Sequence, residues 1–293
     1  MKLNFFKQRK AAENYSINMM PTTRKQVFRD ILHLHTARVF YIGLILLVFS
    51  LPLHVLDLFE DIYVTSISSN VNSDMAQADI DAIAYSVVSI KNLFALIKIP
   101  LWIIFSIGLA GVLRIVRQYC WIENVSLKHD FLIGIKQNFK LCALTTLLLS
   151  IANFVCTYLI NMSYVVGDSN YSVLLFLPAA LNYLILIPMI LIVCVCIPIY
   201  SNTFMQNIKI AFVLMMKKYF NILLSSFVLV FPFVMMSELG FYSNLIIRLI
   251  YPVMGGFIMI GFCLFMYDLM DKYINSKHFP DLVGRGTIWN EDD

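Results

Sequence analysis

The sequence predicts an all-α polytopic bundle of about six membrane-spanning helices, with interfacial amphipathic helices on the cytoplasmic side. Three observations predict it. Of 293 residues, 60% are hydrophobic and only 14% charged, whereas a soluble domain carries about 25% charged residues to clothe its core. Six apolar runs are long enough to cross a hydrocarbon layer of about 30 Å at about 1.5 Å per residue. Lys and Arg gather in alternate connections, the pattern that keeps short loops in the cytoplasm.

Residues 1–38 form a basic amino-terminal segment, in which no short apolar core followed by small residues marks a removable signal peptide. Val27, Ile31, Leu34 and Arg38 fall at helical spacing beside Arg24, Lys25 and Arg29. That suits a basic amphipathic helix on the inner leaflet, and a continuous extension of the first span fits equally well. The membrane domain covers 39–268, with spans at 39–58, 93–113, 141–162, 173–200, 220–236 and 245–267. The fourth contains Pro178, Pro188 and Pro198 and would reach about 42 Å if straight, so tilt, kinking or extension past the bilayer is expected. An outer acidic segment, 59–92, carries Glu60, Asp61, Asp74, Asp79 and Asp81 and reads as a solvated cap. Within it Ile80, Ile83, Ala84, Val87 and Val88 recur at helical spacing. The second helix therefore has reason to begin early, with Asp79 and Asp81 suited to its amino end. Residues 269–293 form a tail.

Charge sets the direction. An inside amino terminus places Lys2, Lys7, Arg9, Lys10, Arg24, Lys25, Arg29 and Arg38, then Arg114, Arg117, Lys128, Lys136 and Lys140, then Lys209, Lys217 and Lys218, and finally Lys272, Lys277 and Arg285 on the inner side. Only Lys91, Lys98 and Arg248 remain for the outer half. The expectation is a multi-pass protein of the plasma membrane with both termini cytoplasmic. A net charge of +4, dispersed among such loops, gives no reason to expect nucleic acid as a partner.

Phe131, Ile135, Lys136 and Phe139 recur as Phe204, Ile208, Lys209 and Phe212 with identical spacing, each copy leading into a span. Two readings are open: an internal duplication in the same orientation, or coincidence in a chain rich in these residues. The run from Gly108 through Arg114 to Arg117, then Glu123, Asp130, Phe131, Gly134, Ile135, Lys136, Asn138, Phe139 and Lys140, with Ser50, Leu51 and Pro52 closing the first span, resembles the signature of the YesL-like membrane proteins of Firmicutes. The resemblance covers residues 25 to 235 in outline. It implies a compact helical membrane domain found beside ABC-type sugar transporters, and it supplies no catalytic residues. The acidic outer segment and the tail from Tyr273 are longer than the family pattern suggests.

The side chains offer little chemistry. The six cysteines show no CxxC pair, and His33 and His35 lack the companions of a zinc site; no metal or other cofactor is expected. There is no GxxxxGK[ST] run to cradle phosphates, and no constellation of acid, base and nucleophile marks an enzyme. Lys98 and Arg248 lie inside spans near their outer ends, where long side chains can snorkel to water. A sharper alternative pairs Glu238 with Arg248 as a structural latch across the short connection. Asn153 and Asn182 lie within spans and could line a polar cavity. Arg114, Arg117, Glu123, Lys136 and Lys140 form the candidate partner-binding set on the inner face. These observations lead to the expectation of a non-enzymatic accessory or scaffold component of a carbohydrate transport system, with ABC-type transporter subunits as partners. The alternative is a small-solute permease in its own right.

Overall fold

The computed structural model describes residues 21–69, 71, 75–166, 169–235 and 241–287. They are helical nearly throughout, and six helices are long and apolar enough to cross a membrane. Helix α1 (Arg24–Ser68) opens with Thr23 as its cap, the side chain accepting from the Gln26 amide. Its helical geometry breaks at His35 (φ −128°, ψ 15°). The break falls within the predicted amphipathic stretch, between Leu34 and Arg38. Val27 and Ile31 turn into the protein core rather than toward lipid, while Leu34 stays exposed.

Beyond the break α1 continues to Ser68, and α2 (Gln77–Cys120) starts well ahead of the apolar run at 93. Most of the described part of 59–92 is therefore helical and largely exposed, with α2 beginning early as its apolar spacing suggests. Asp79 stands in the first turn of α2, where a negative charge meets the helix dipole favourably. Helix α3 (Leu127–Val166) returns along α2 without a break. At Gly134 an added Cβ would come 2.9 Å from the Ala110 carbonyl oxygen, so this α2–α3 crossing requires glycine.

The fourth span is assembled from α4 (Ser169–Leu181), a wide π turn (Asn182–Leu186) and α5 (Ile187–Cys196). Pro178 and Pro188 lie within it, whereas Pro198 falls in the turn beyond its end. Proline cannot donate to the preceding turn of a helix. The expected kink is thus absorbed by a π turn rather than by one sharp bend. Helix α6 (Phe204–Met235) breaks at Lys218 (φ −143°, ψ 42°). Helix α7 (Phe241–Met270) passes into a π turn (Asp271–Asn275), a single turn α8 (Ser276–His278) and a 3₁₀ turn (Pro280–Leu282).

The end of the bundle where α1 begins and α7 finishes is termed proximal; the other is distal. The fully buried side chains, among them Leu113, Ile115, Ile192, Leu214, Met266 and Met270, concentrate toward the proximal end. There α1, α2, α5, α6 and α7 share one core. Along the seam between α1 and α7, a Cβ on Gly43 would lie 1.8 Å from the Val253 carbonyl oxygen. Backbones pack this closely where side chains are absent.

The two copies of the repeated element have parallel burial. Phe131, Ile135, Phe204 and Ile208 are half-buried, while Lys136, Phe139, Lys209 and Phe212 are exposed. The helices that carry the copies differ, because α3 runs straight on whereas α6 breaks at Lys218.

Candidate functional site

Polar side chains collect at both ends of the bundle. At the distal end, Asp57, Glu60 and Asp61 sit on α1 at the i, i+3, i+4 spacing that shares one helix face. Lys98 from α2 reaches Asp57 at 2.7 Å and Glu60 at 2.6 Å. Arg248 from α7 pairs with Asp57 through Nη1 and lies 3.6 Å from Asp61 through Nη2. Asn244 completes the group, accepting from Arg248 Nε at 2.7 Å and donating to Asp61 at 3.1 Å. Three helices are thereby tied together by charge.

This arrangement corrects the expectation of snorkelling. Lys98 and Arg248 turn toward carboxylates within the bundle, and the Arg248 side chain is only 10% exposed. The gain is physical, since a cation in low dielectric is stabilised far more by a nearby carboxylate than it would be in water. Glu238, the proposed partner of Arg248, lies outside the described residues. The carboxylates seen around Arg248 are Asp57 and Asp61, more than 180 residues away in sequence. Their helical spacing was visible in the sequence, but the face of α1 they occupy was not. Two cations against three carboxylates leave one negative charge in excess. His54, one turn away on α1, is buried and neither ring nitrogen has a hydrogen-bond partner among the described residues.

The proximal end holds the family-like charges. Arg114 donates to Gln137 at 2.5 Å and lies 3.6 Å from Asp130. Asp130 also accepts from the Gln118 amide at 3.0 Å and from the Ser126 backbone N–H at 2.8 Å. Burial alone would push the Asp130 carboxyl up, but these donors and the Arg114 charge outweigh it and hold the group below the ordinary carboxylate range. Arg117 donates to the Pro198 carbonyl at 3.0 Å, lies 3.4 Å from Glu123 and stacks over the Trp121 ring at 4.7 Å. Arg285, from the tail, stacks on the same ring at 5.1 Å.

The tail is bound here through its own network. Arg24, at the start of α1, pairs with Asp271 at 2.7 Å and also reaches the Arg285 carbonyl. Asp271 accepts from Asn275 at 2.8 Å and from the Gly284 N–H at 3.3 Å, and Tyr200 donates to Asn275 at 2.6 Å. The stretch from Asp271 to Thr287 thus folds back under the bundle. Nothing in its sequence pattern announced this, because the partners of Asp271 come from α1 and from its own later turns.

Of the five predicted partner-binding residues, the structure divides the set. Arg114 and Arg117 are committed to the chain itself, while Glu123, Lys136 and Lys140 are exposed. Lys136 and Lys140 stand one turn apart on α3, beside the fixed Arg114–Asp130–Gln118 network. Asn153 and Asn182 do come together, Asn182 donating to Asn153 at 2.7 Å. They bond to each other and line neither the groove near Phe28 and Phe257 nor that near Ile80 and Lys91. All six cysteines are buried and free. No cluster of metal-ligating residues occurs among the described residues. Compared with known proteins, the sequence matches no family model, no curated protein and no solved structure.

Proposed function

We propose that this chain is a non-enzymatic, multi-pass component of the plasma membrane, with both termini cytoplasmic, that docks a subunit of a transport system on its inner face. The single observation that carries this reading is the division of the basic residues at the proximal end. Arg114, Arg117 and Arg24 are consumed in bracing the helix ends and the tail. Lys136 and Lys140 are left exposed on the braced surface. A rigid scaffold presenting charges suits recognition, because less conformational freedom is lost when a partner binds. The resemblance to YesL-like proteins supports an ABC-type sugar transporter as that partner.

The permease alternative has less support. Its polar pair, Asn153 and Asn182, is joined by a mutual hydrogen bond and lines neither described groove, although Asn182 Oδ1 has no partner among the described residues.

Affinity purification of the tagged chain from native membranes in mild detergent tests the reading. A permease subunit or its ATPase should co-purify with the parent chain and with Arg29→Gln, and be lost from Lys136→Glu/Lys140→Glu. Equal recovery from the Lys136→Glu/Lys140→Glu variant, or recovery of the chain alone throughout, would overturn it and make solute flux in liposomes the next assay.

A further inference from the structure

At the distal end, outside the apolar run 93–113, α1, α2 and α3 border an open groove of about 370 Å³. This falls in the roughly 300–1,000 Å³ range of small-molecule sites. Its floor is apolar, made by Ile80, Ile83, Val87 and Val88 of α2, with Val71 beyond the end of α1 opposite. Two strongly polar side chains stand at its inner end, Lys91 and Asn161. The Asn161 amide donates to Asn92 at 2.8 Å, which fixes its orientation.

Lys91 contrasts with Lys98. The two lie seven residues apart, on one face of α2. Lys98 meets Asp57 and Glu60 of α1. Two turns further out, Lys91 has no ion pair or hydrogen bond among the described residues, and no acid is among the described residues that line the groove. A half-buried ammonium with no acidic partner among the described residues, at one end of an apolar groove, is complementary to one kind of ligand: an anionic head followed by an apolar tail. One lysine with one amide suits a single negative charge. The lining holds no arginine whose forked donors would favour a phosphate by bidentate recognition. A comparable groove of about 390 Å³ near Phe28, Phe257 and Phe265 serves as internal reference. It has no charged lining residue, and its Ser225 hydroxyl is donated to the Asn221 carbonyl.

We propose that the distal groove binds a single-chain amphiphile of the fatty carboxylate class, its head on Lys91 and its tail along α2 toward Ile80. This site is independent of the docking face proposed above. The groove runs for about 16 Å along the helix axis, so dodecanoate is a suitable probe.

The test is photolabelling of the full chain in native membrane vesicles with a diazirine analogue of dodecanoate, followed by mapping of the labelled peptides. Saturable labelling is expected within 62–91, displaced by dodecanoate and not by dodecanol. It should weaken about tenfold in Lys91→Gln, the loss of one charge-assisted contact, and be restored in Lys91→Arg. Ala84→Trp, at an exposed position on the groove wall, should abolish it while leaving the Lys91 charge in place. Equal displacement by dodecanol, unchanged labelling in either Lys91→Gln or Ala84→Trp, or stronger displacement by a lysophospholipid than by dodecanoate would overturn the proposal.

Discussion

The two ends of the bundle solve the same problem, charge near a membrane, in different ways. At the distal end charge is set against charge: Asp57, Glu60 and Asp61 face Lys98 and Arg248. At the proximal end ion pairs are supplemented by neutral dipoles and rings. Arg117 uses a proline carbonyl and an indole besides Glu123, and Asp271 uses an amide side chain and a backbone N–H besides Arg24. The distal cluster therefore depends on Coulomb attraction in a low dielectric and cannot lose one member without stranding another. The proximal network spreads each charge over several hydrogen bonds and should degrade gradually.

The largest expected effect tests that difference directly. Arg248→Leu strands Asp57 and Asp61 with Lys98 as their remaining cation and should cost about 3–5 kcal/mol, read from thermal unfolding of the purified chain in detergent. Adding Asp57→Leu should recover part of the loss, giving a coupling energy of opposite sign in a double-mutant cycle. Additive losses would show that the pair does not act as a unit. Next in size is Gly43→Val, on the seam that joins the two ends. The new side chain meets the Val253 carbonyl, and about 1–3 kcal/mol of overpacking strain is expected in the same assay.

Asp271→Ala removes the acceptor common to Arg24, Asn275 and Gly284. About 1–3 kcal/mol is expected from the donors left without a partner, together with faster proteolysis after residue 275 while the spans stay folded. If the whole chain melts instead, the proximal network is as cooperative as the distal one. Asp130 supplies the pH test. Its carboxyl is held low in the folded chain, so the folded state binds that proton less readily than the unfolded state does. Its stabilisation is complete above the unfolded value of about 3.9 and is lost as pH falls through the lower folded value. Asp130→Asn should lower stability at neutral pH and remove that part of the acid-induced loss. The smallest effect belongs to Lys136→Glu/Lys140→Glu, whose exposed side chains should leave stability within about 0.5 kcal/mol even as partner recovery is lost.

Much of the fold was legible in the sequence. The apolar runs required helices, since each backbone polar group in hydrocarbon must be bonded within its own segment. The prolines of the fourth run signalled an interrupted helix. Less visible was the extent of α1 and α2 through 59–92, because charged residues on an exposed helix face look like a loop to a hydropathy reading. The candidate sites were legible only in part. Lys98 and Arg248 stand out as charges inside spans, and Arg114 and Arg117 as candidate inner-face contacts, while Asp57 passes unnoticed at the margin of a span.

Sequence by itself determined that this chain is a helical membrane protein with about six crossings, because transfer from water to lipid is a property of composition and length. Which charges meet was decided by the tertiary structure alone. Uniformly apolar helices carry no periodic signal of their buried face, so the rotation that brings Asp57 to Arg248, or Asp271 to Arg24, is set by the packing of α1 against α7 and of the tail beneath them.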